Sequence, residues 1–261
     1  MMFASDLDRT LIYSKRAMED YPLDEKIDLV PVEQKLKNDV SFMSKSSLEY
    51  LQRLSKKLLF VPVTTRSLEQ YQRILFSETL IKYAVTTNGA NIHYQGTPLR
   101  EWESKVSKEM ADSSVHLQEL ISLITQHFHF QGEMRVVEDL FFYYHLTEIV
   151  SAEVVEELVS SLFNLGWRVS LQGRKLYFVP TAISKGKAIQ FIQEREEVTT
   201  LIGAGDSLFD DDFLKLCQYP FVLGHGELAS YPLQEHYNVV RQVGIKGGEE
   251  LLKSITQLVD L

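Results

Sequence analysis

A chain of 261 residues with 44% hydrophobic content can bury one large core or two modest ones. Acidic residues outnumber basic ones, 36 to 27, for a net charge of -9, which opposes broad contact with a nucleic-acid backbone or an anionic membrane surface. Cys217 is the single cysteine, so no intrachain disulfide and no cysteine-based metal site can form.

One cysteine suits a reducing compartment. The first ten residues, MMFASDLDRT, reach charge at Asp6 without a signal-peptide apolar core, and no run approaches the length that spans a bilayer. The expected location is the cytoplasm.

In chain order, residues 1–5 read as a buried strand that stops at Asp6. Residues 13–42 are polar, hold Pro22 and Pro31, and read as a flap beside that strand. Leu48, Leu51 and Leu54 repeat at helical spacing. Residues 58–63 (LLFVPV) form a second apolar strand, stopping at Thr64, with a helix expected over 67–76. From 91 to 180 the pattern changes. It predicts a hairpin, a helix over 115–130, strands over 134–138 and 141–146, a helix over 152–165, and strands over 167–171 and 175–179. A helix over 184–195 follows, then a third apolar strand over 199–204 that ends at Gly205 and Asp206. The last helix, 249–258, places Leu251, Leu252, Ile255 and Leu258 on one face.

Apolar strands alternating with helices predict an α/β fold with a parallel sheet covered on both faces. Residues 1–90 and 181–261 would form it, and 91–180 an inserted α+β domain. Ligands of such sheets bind beyond the carboxyl ends of the strands, so the polar residues that end the three strands would share one crevice.

Those residues suit phosphoryl chemistry. Asp6 and Asp8, two apart on a turning segment, can divide the work of nucleophile and general acid–base. Carboxylates of Asp206 and Asp210, in GDSLFDDD, can join Asp6 as hard oxygen ligands for Mg2+. Thr64 offers a hydroxyl to a phosphoryl oxygen, and Lys185, after the capping Ser184, offers an ammonium to Asp6 and the phosphate. Each signal alone has a bland explanation: a solvated acidic turn, acids that favour a helix start, or a solvated lysine.

Taken in order, nucleophile, hydroxyl, lysine and acid cluster resemble the four motifs of the haloacid dehalogenase superfamily of phosphotransferases. Motif one matches Asp6 and Asp8, motif two Thr64, motif three Lys185, and motif four Asp206 and Asp210. The inserted segment, preceded by TTNGANI at 86–92, looks like the C2B cap of the Cof-like and sucrose-phosphate-phosphatase-like branch (type IIB).

The resemblance implies a Rossmann-like core and a Mg2+-dependent phosphatase of a small phosphorylated metabolite, a sugar phosphate or nucleotide-like ester. Asp6 would be the nucleophile and a metal ligand, and Asp8 the general acid and base, with its carbonyl on the metal. Asp206 would ligate the metal, Asp210 would support it, and Thr64 and Lys185 would hold the phosphoryl group. Thr65, Arg66, Asn88 and Arg135 are the candidates for substrate contact. A phosphomutase of the phosphomannomutase type, or a non-catalytic binding protein on the same fold, are the alternative functions. Three departures stand out. Arg9 and Thr65 replace glycines common in relatives, and Phe209 replaces an Asn of motif four, which would alter hydrogen bonding around the metal.

Other polar and aromatic residues carry no such assignment. His127, His129 and His145 have no metal-site spacing, and Asp211 and Asp212 read as helix-start acids. Tyr143, Tyr144, Phe141 and Phe142 read as sheet filling, and Arg168, Arg174 and Lys175 as surface cations.

Overall fold

A computed structural model of the chain describes residues 1–22 and 27–260. Part of the expected flap, residues 23–26, lies outside the described residues. In chain order, β1 (Met2–Ser5) leads into β2 (Tyr13–Ser14), α1 (Lys15–Glu19) and the hairpin β3 (Leu29–Lys35) and β4 (Asn38–Ser44). Then come α2 (Lys45–Ser55), β5 (Leu59–Pro62), α3 (Leu68–Tyr71), and β6 (Tyr83–Thr86), β7 (Asn91–Tyr94) and β8 (Thr97–Pro98). The middle holds α4 (Arg100–Ser113), α5 (Leu117–His127), β9 (Gly132–Val137), β10 (Phe141–Leu146), α6 (Ala152–Phe163), β11 (Trp167–Gln172) and β12 (Lys175–Pro180). The rest is α7 (Lys185–Arg195), β13 (Leu201–Gly205), α8 (Asp211–Leu214), β14 (Tyr219–Leu223), β15 (Asn238–Val240) and α9 (Gly244–Val259).

Two compact units result, Met1–Pro98 with Lys185–Leu261, and Leu99–Ser184. The hairpin at 91–98, expected to open the inserted segment, belongs to the first unit. The reason is backbone pairing: β7 runs antiparallel to β6, with Val85 opposite Ile92.

The first unit is built on a parallel sheet in the order β15-β14-β13-β1-β5. Every residue of β1 is buried, as a strand covered on both faces must be. Alternation sorts its neighbours. Phe3, Phe60 and Ile202 join Leu51 and Leu54 of α2 and Leu251, Leu252 and Ile255 of α9 in one cluster. On the other face, a Cβ at Gly203 would meet Leu214 and Phe213 of α8. β14 and β15 extend the sheet beyond the strands the sequence suggested.

Two helices differ from expectation. The helix predicted over 67–76 is only α3, because Leu75 N–H then bonds the Val32 carbonyl at 2.8 Å and the chain pairs with the flap. The helix predicted over 115–130 is the shorter α5, and α4 before it was missed. Extended Ser114 separates the two, with its hydroxyl on the Gly166 carbonyl at 3.0 Å and Val115 N–H on Leu165 at 3.0 Å.

The second unit carries an antiparallel sheet, β11-β12-β10-β9. Phe142 and Phe178 stack at 4.6 Å in its core, and Trp167 donates to the Val115 carbonyl at 2.9 Å. Tyr143 is half-buried rather than core filling, and lies in register with Arg135 and Tyr177. Among the described residues, no helix is long and apolar enough to cross a membrane.

Candidate active site

Strand register brings the predicted residues together. Ser5 pairs with Ala204 on one side and Pro62 on the other, so the chain leaves three neighbouring parallel strands at Asp6, Asp206 and Thr64. Neighbouring strands lie about 4.8 Å apart, and each exit points to the same edge of the sheet. Oxygens of Asp6, Asp206 and Asp210 all lie within 4.8 Å of one another.

Lys185, the first residue of α7, is fully buried among them, unlike the solvated lysine of a typical helix start. Its Nζ donates to Asp6 Oδ1 at 2.7 Å and Asp210 Oδ1 at 2.6 Å. Burial alone would lower this ammonium, but Asp210 and Asp6 outweigh it and hold Lys185 charged.

Asp210 is saturated. Its Oδ2 accepts from Asp206 N–H at 3.0 Å, Ser207 N–H at 2.9 Å and Ser207 Oγ at 2.9 Å. Gly205 is required for this closure, since a Cβ there would strike the Asp210 side chain. Phe209, at the place of the relatives' Asn, is buried, and the loop is fastened without an amide there.

Burial pushes the Asp6 carboxyl well above the ordinary carboxylate range, Lys185 opposes, and Asp210 and Asp206 add to the rise. Burial and then Asp210 push Asp206 up to about 8. Three buried carboxylates therefore share one ammonium, and the cluster is short of positive charge. A divalent, oxygen-seeking cation fits that deficit. Among the described residues no donor reaches Asp6 Oδ2 or Asp206 Oδ2, whereas Asp206 Oδ1 accepts from Thr10 at 3.3 Å. Asp6 and Asp206 thus have oxygens to give a metal, and Asp210 serves to hold them in place.

Thr64 is buried beside Asp6, and its Oγ1 accepts from Arg66 N–H at 3.1 Å, which leaves its own proton to donate. Two backbone bonds fasten the next loop here: Thr87 N–H to the Arg66 carbonyl at 2.7 Å and Asn88 N–H to the Thr64 carbonyl at 3.0 Å. Thr87 and Asn88 both adopt left-handed backbone, φ 52° and 57°, a strain of about 1–3 kcal/mol each that marks functional loops. Asn88 is buried, and its side-chain amide has no hydrogen-bond partner among the described residues.

Asp8 stands apart from the carboxylate cluster. Its side chain is 46% exposed and is gripped by Arg66, Nε to Oδ2 at 2.7 Å and a terminal nitrogen to Oδ1 at 2.7 Å. Arg66, expected at the substrate, is thus committed to a carboxylate. Thr65 is half-buried. Arg135 belongs to the second unit, where it is exposed and paired with Glu133 at 2.7 Å. Arg9 takes the left-handed backbone that glycine favours, φ 65°, and its side chain turns to Asp20 at 3.1 Å. His225 Nε2 sits 2.8 Å from its carbonyl. Thr10, two residues past Asp8, joins the site although the sequence did not mark it, and neither Glu33 nor His225 carries a local pattern.

A family model described as sucrose-6F-phosphate phosphohydrolase matches residues 1–236. The fold is similar to the sucrose-phosphatase of Synechocystis sp. PCC6803 in complex with sucrose and phosphate, with TM-score 0.70 and 17% identity over 100% of this chain and 98% of that one. It is also similar to a haloacid dehalogenase-like hydrolase protein of Bacillus subtilis, with TM-score 0.56 and 15% identity over 100% and 92%. An IMP-nucleotidase of Plasmodium falciparum matches with TM-score 0.56 and 15% identity over 98% of this chain and 68% of that one. No curated protein sequence matches the chain.

Proposed function

The chain belongs to the sucrose-6F-phosphate phosphohydrolase family and is a phosphatase of the haloacid dehalogenase superfamily, and from this premise we propose that it hydrolyses a small phosphorylated sugar with Mg2+, through a phosphoryl group carried on Asp6. The observation that supports this most is the buried convergence of Asp6, Lys185, Asp206 and Asp210 at the sheet edge. In this reading Met1–Pro98 and Lys185–Leu261 form the catalytic domain, and Leu99–Ser184 the cap.

Asp6 attacks phosphorus through one of its carboxylate oxygens. Lys185 favours the ionised form of Asp6 against the effect of burial and offsets charge on the phosphoryl oxygens. Thr64 donates its hydroxyl to one of those oxygens. Asp8 gives a proton to the leaving alkoxide, then takes one from the water that attacks the phosphoryl group and frees Asp6. Asp6, Asp206 and the Asp8 carbonyl, braced by Asp210, would hold Mg2+, which would supply charge neutralisation between carboxylate and phosphate.

The family and the sucrose-phosphatase of similar fold support a sugar phosphate as substrate. A panel with sucrose 6F-phosphate, other sugar phosphates and IMP, with and without Mg2+, tests the reading by phosphate release. The expected result is Mg2+-dependent turnover that is fastest with a sugar phosphate and stops in EDTA. Full turnover in EDTA would remove the metal from the mechanism, and inactivity on every ester would refute the reading.

A further inference from the structure

We infer that Glu33, acting through Arg66, is a positioning residue for Asp8 in proton transfer to the leaving group. This rests on the reading of Asp8 as general acid and base. The Asp8 side chain is half-exposed, and a free carboxylate there would rotate among several orientations. Arg66 removes that freedom by taking both Asp8 oxygens, each at 2.7 Å. Two nitrogens then grip Glu33, at 2.9 Å to Oε1 and 3.0 Å to Oε2. The guanidinium thereby spends both of its two-toothed edges on carboxylates and keeps none for a phosphate.

Glu33 is itself fixed. It is 3% exposed, sits at a register shift of the β3–β4 hairpin, and accepts from Ser41 Oγ at 2.6 Å, with Arg73 Nε at 3.8 Å. Burial alone would lower Arg66, yet its bonds to Asp8 and Glu33 push it up, so it stays charged. Glu33 thus holds Arg66, and Arg66 holds Asp8. Two of the four lone-pair positions of Asp8 remain for a proton. That proton passes to the alkoxide as the substrate P–O bond breaks and the Asp6 O–P bond forms. A second proton returns to Asp8 from water as the water oxygen bonds phosphorus and the Asp6 O–P bond breaks.

The leaving group provides the test. An alkyl ester needs a proton on its alkoxide, whereas p-nitrophenyl phosphate expels a phenolate stable without one. kcat/KM reports the steps through transfer to Asp6, so both esters are compared on that quantity for wild type, Glu33→Gln and Arg66→Lys. The alkyl ester is the best sugar phosphate of the wild type. The expected loss is about 10- to 100-fold on the alkyl ester and no more than about threefold on the aryl ester. Thermal melting of each variant reports its folding, and Arg66→Lys keeps the charge without the fork. Equal losses on the two esters, as from a damaged fold or a lost phosphate contact, would overturn the inference, as would no loss on either. Wild-type inactivity on both esters would instead refute the proposed function.

Discussion

Lys185 Nζ lies 2.7 Å from Asp6 and 2.6 Å from Asp210, although the three residues come from a helix start, a strand end and a loop far apart in the chain. The ammonium is the one cation bonded to this carboxylate cluster among the described residues. It therefore ties the three elements together and opposes the rise that burial imposes on the Asp6 carboxyl.

Lys185→Met leaves two carboxylates buried without their partner. Unfolding in urea with EDTA present should show a loss on the order of 3 kcal/mol. Phosphatase activity should fall at least about 100-fold, since the group that offsets charge at the phosphoryl oxygens is gone. Wild-type stability in this variant would mean that the pair contributes little to folding.

Metal-free stability should depend on pH through Asp206. Burial and Asp210 raise its carboxyl from 3.8 to about 8. A group whose folded value is raised stabilises the fold fully below its unfolded value, and that contribution is lost as pH rises through the folded value. In EDTA the wild-type Tm should fall relative to that of Asp206→Asn as pH rises from about 4 to about 8. Added Mg2+ should raise the wild-type Tm most at the alkaline end, where the ligand carries its charge. A difference that is flat across this window would contradict the assignment.

Gly205→Ala should displace Asp210, because the added methyl meets that side chain. The expected cost is about 1–3 kcal/mol, together with weaker Mg2+ binding by calorimetry, since Asp210 fastens the backbone of Asp206 and Ser207. Unchanged Mg2+ affinity would show that this loop tolerates rearrangement.

The parallel core was legible because its strands are short apolar runs that end in polar residues. Asp6, Thr64 and Asp206 mark those ends, and in-register pairing carries them to one edge. What the sequence hid depends on contacts across the chain. The helix expected after Thr64 ends early because Leu75 bonds to Val32 of the flap. The break between α4 and α5 is set by Leu165 and Gly166, some fifty residues on. Glu33 has no motif around it, and only its placement beside Arg66 gives it meaning. Arg66 looked like a substrate residue by its place after Thr64, yet its partners are Asp8 and Glu33.

Acid quenching during steady turnover of a sugar phosphate, followed by peptide mass spectrometry, tests the covalent step on Asp6 most directly. The account predicts one phosphoryl group on Asp6, none on Asp8, and, with p-nitrophenyl phosphate as substrate, more of the adduct in Asp8→Asn, where formation needs no acid but hydrolysis lacks a base. Continued turnover with Asp6 never phosphorylated, or with the phosphoryl group on another residue, would contradict it.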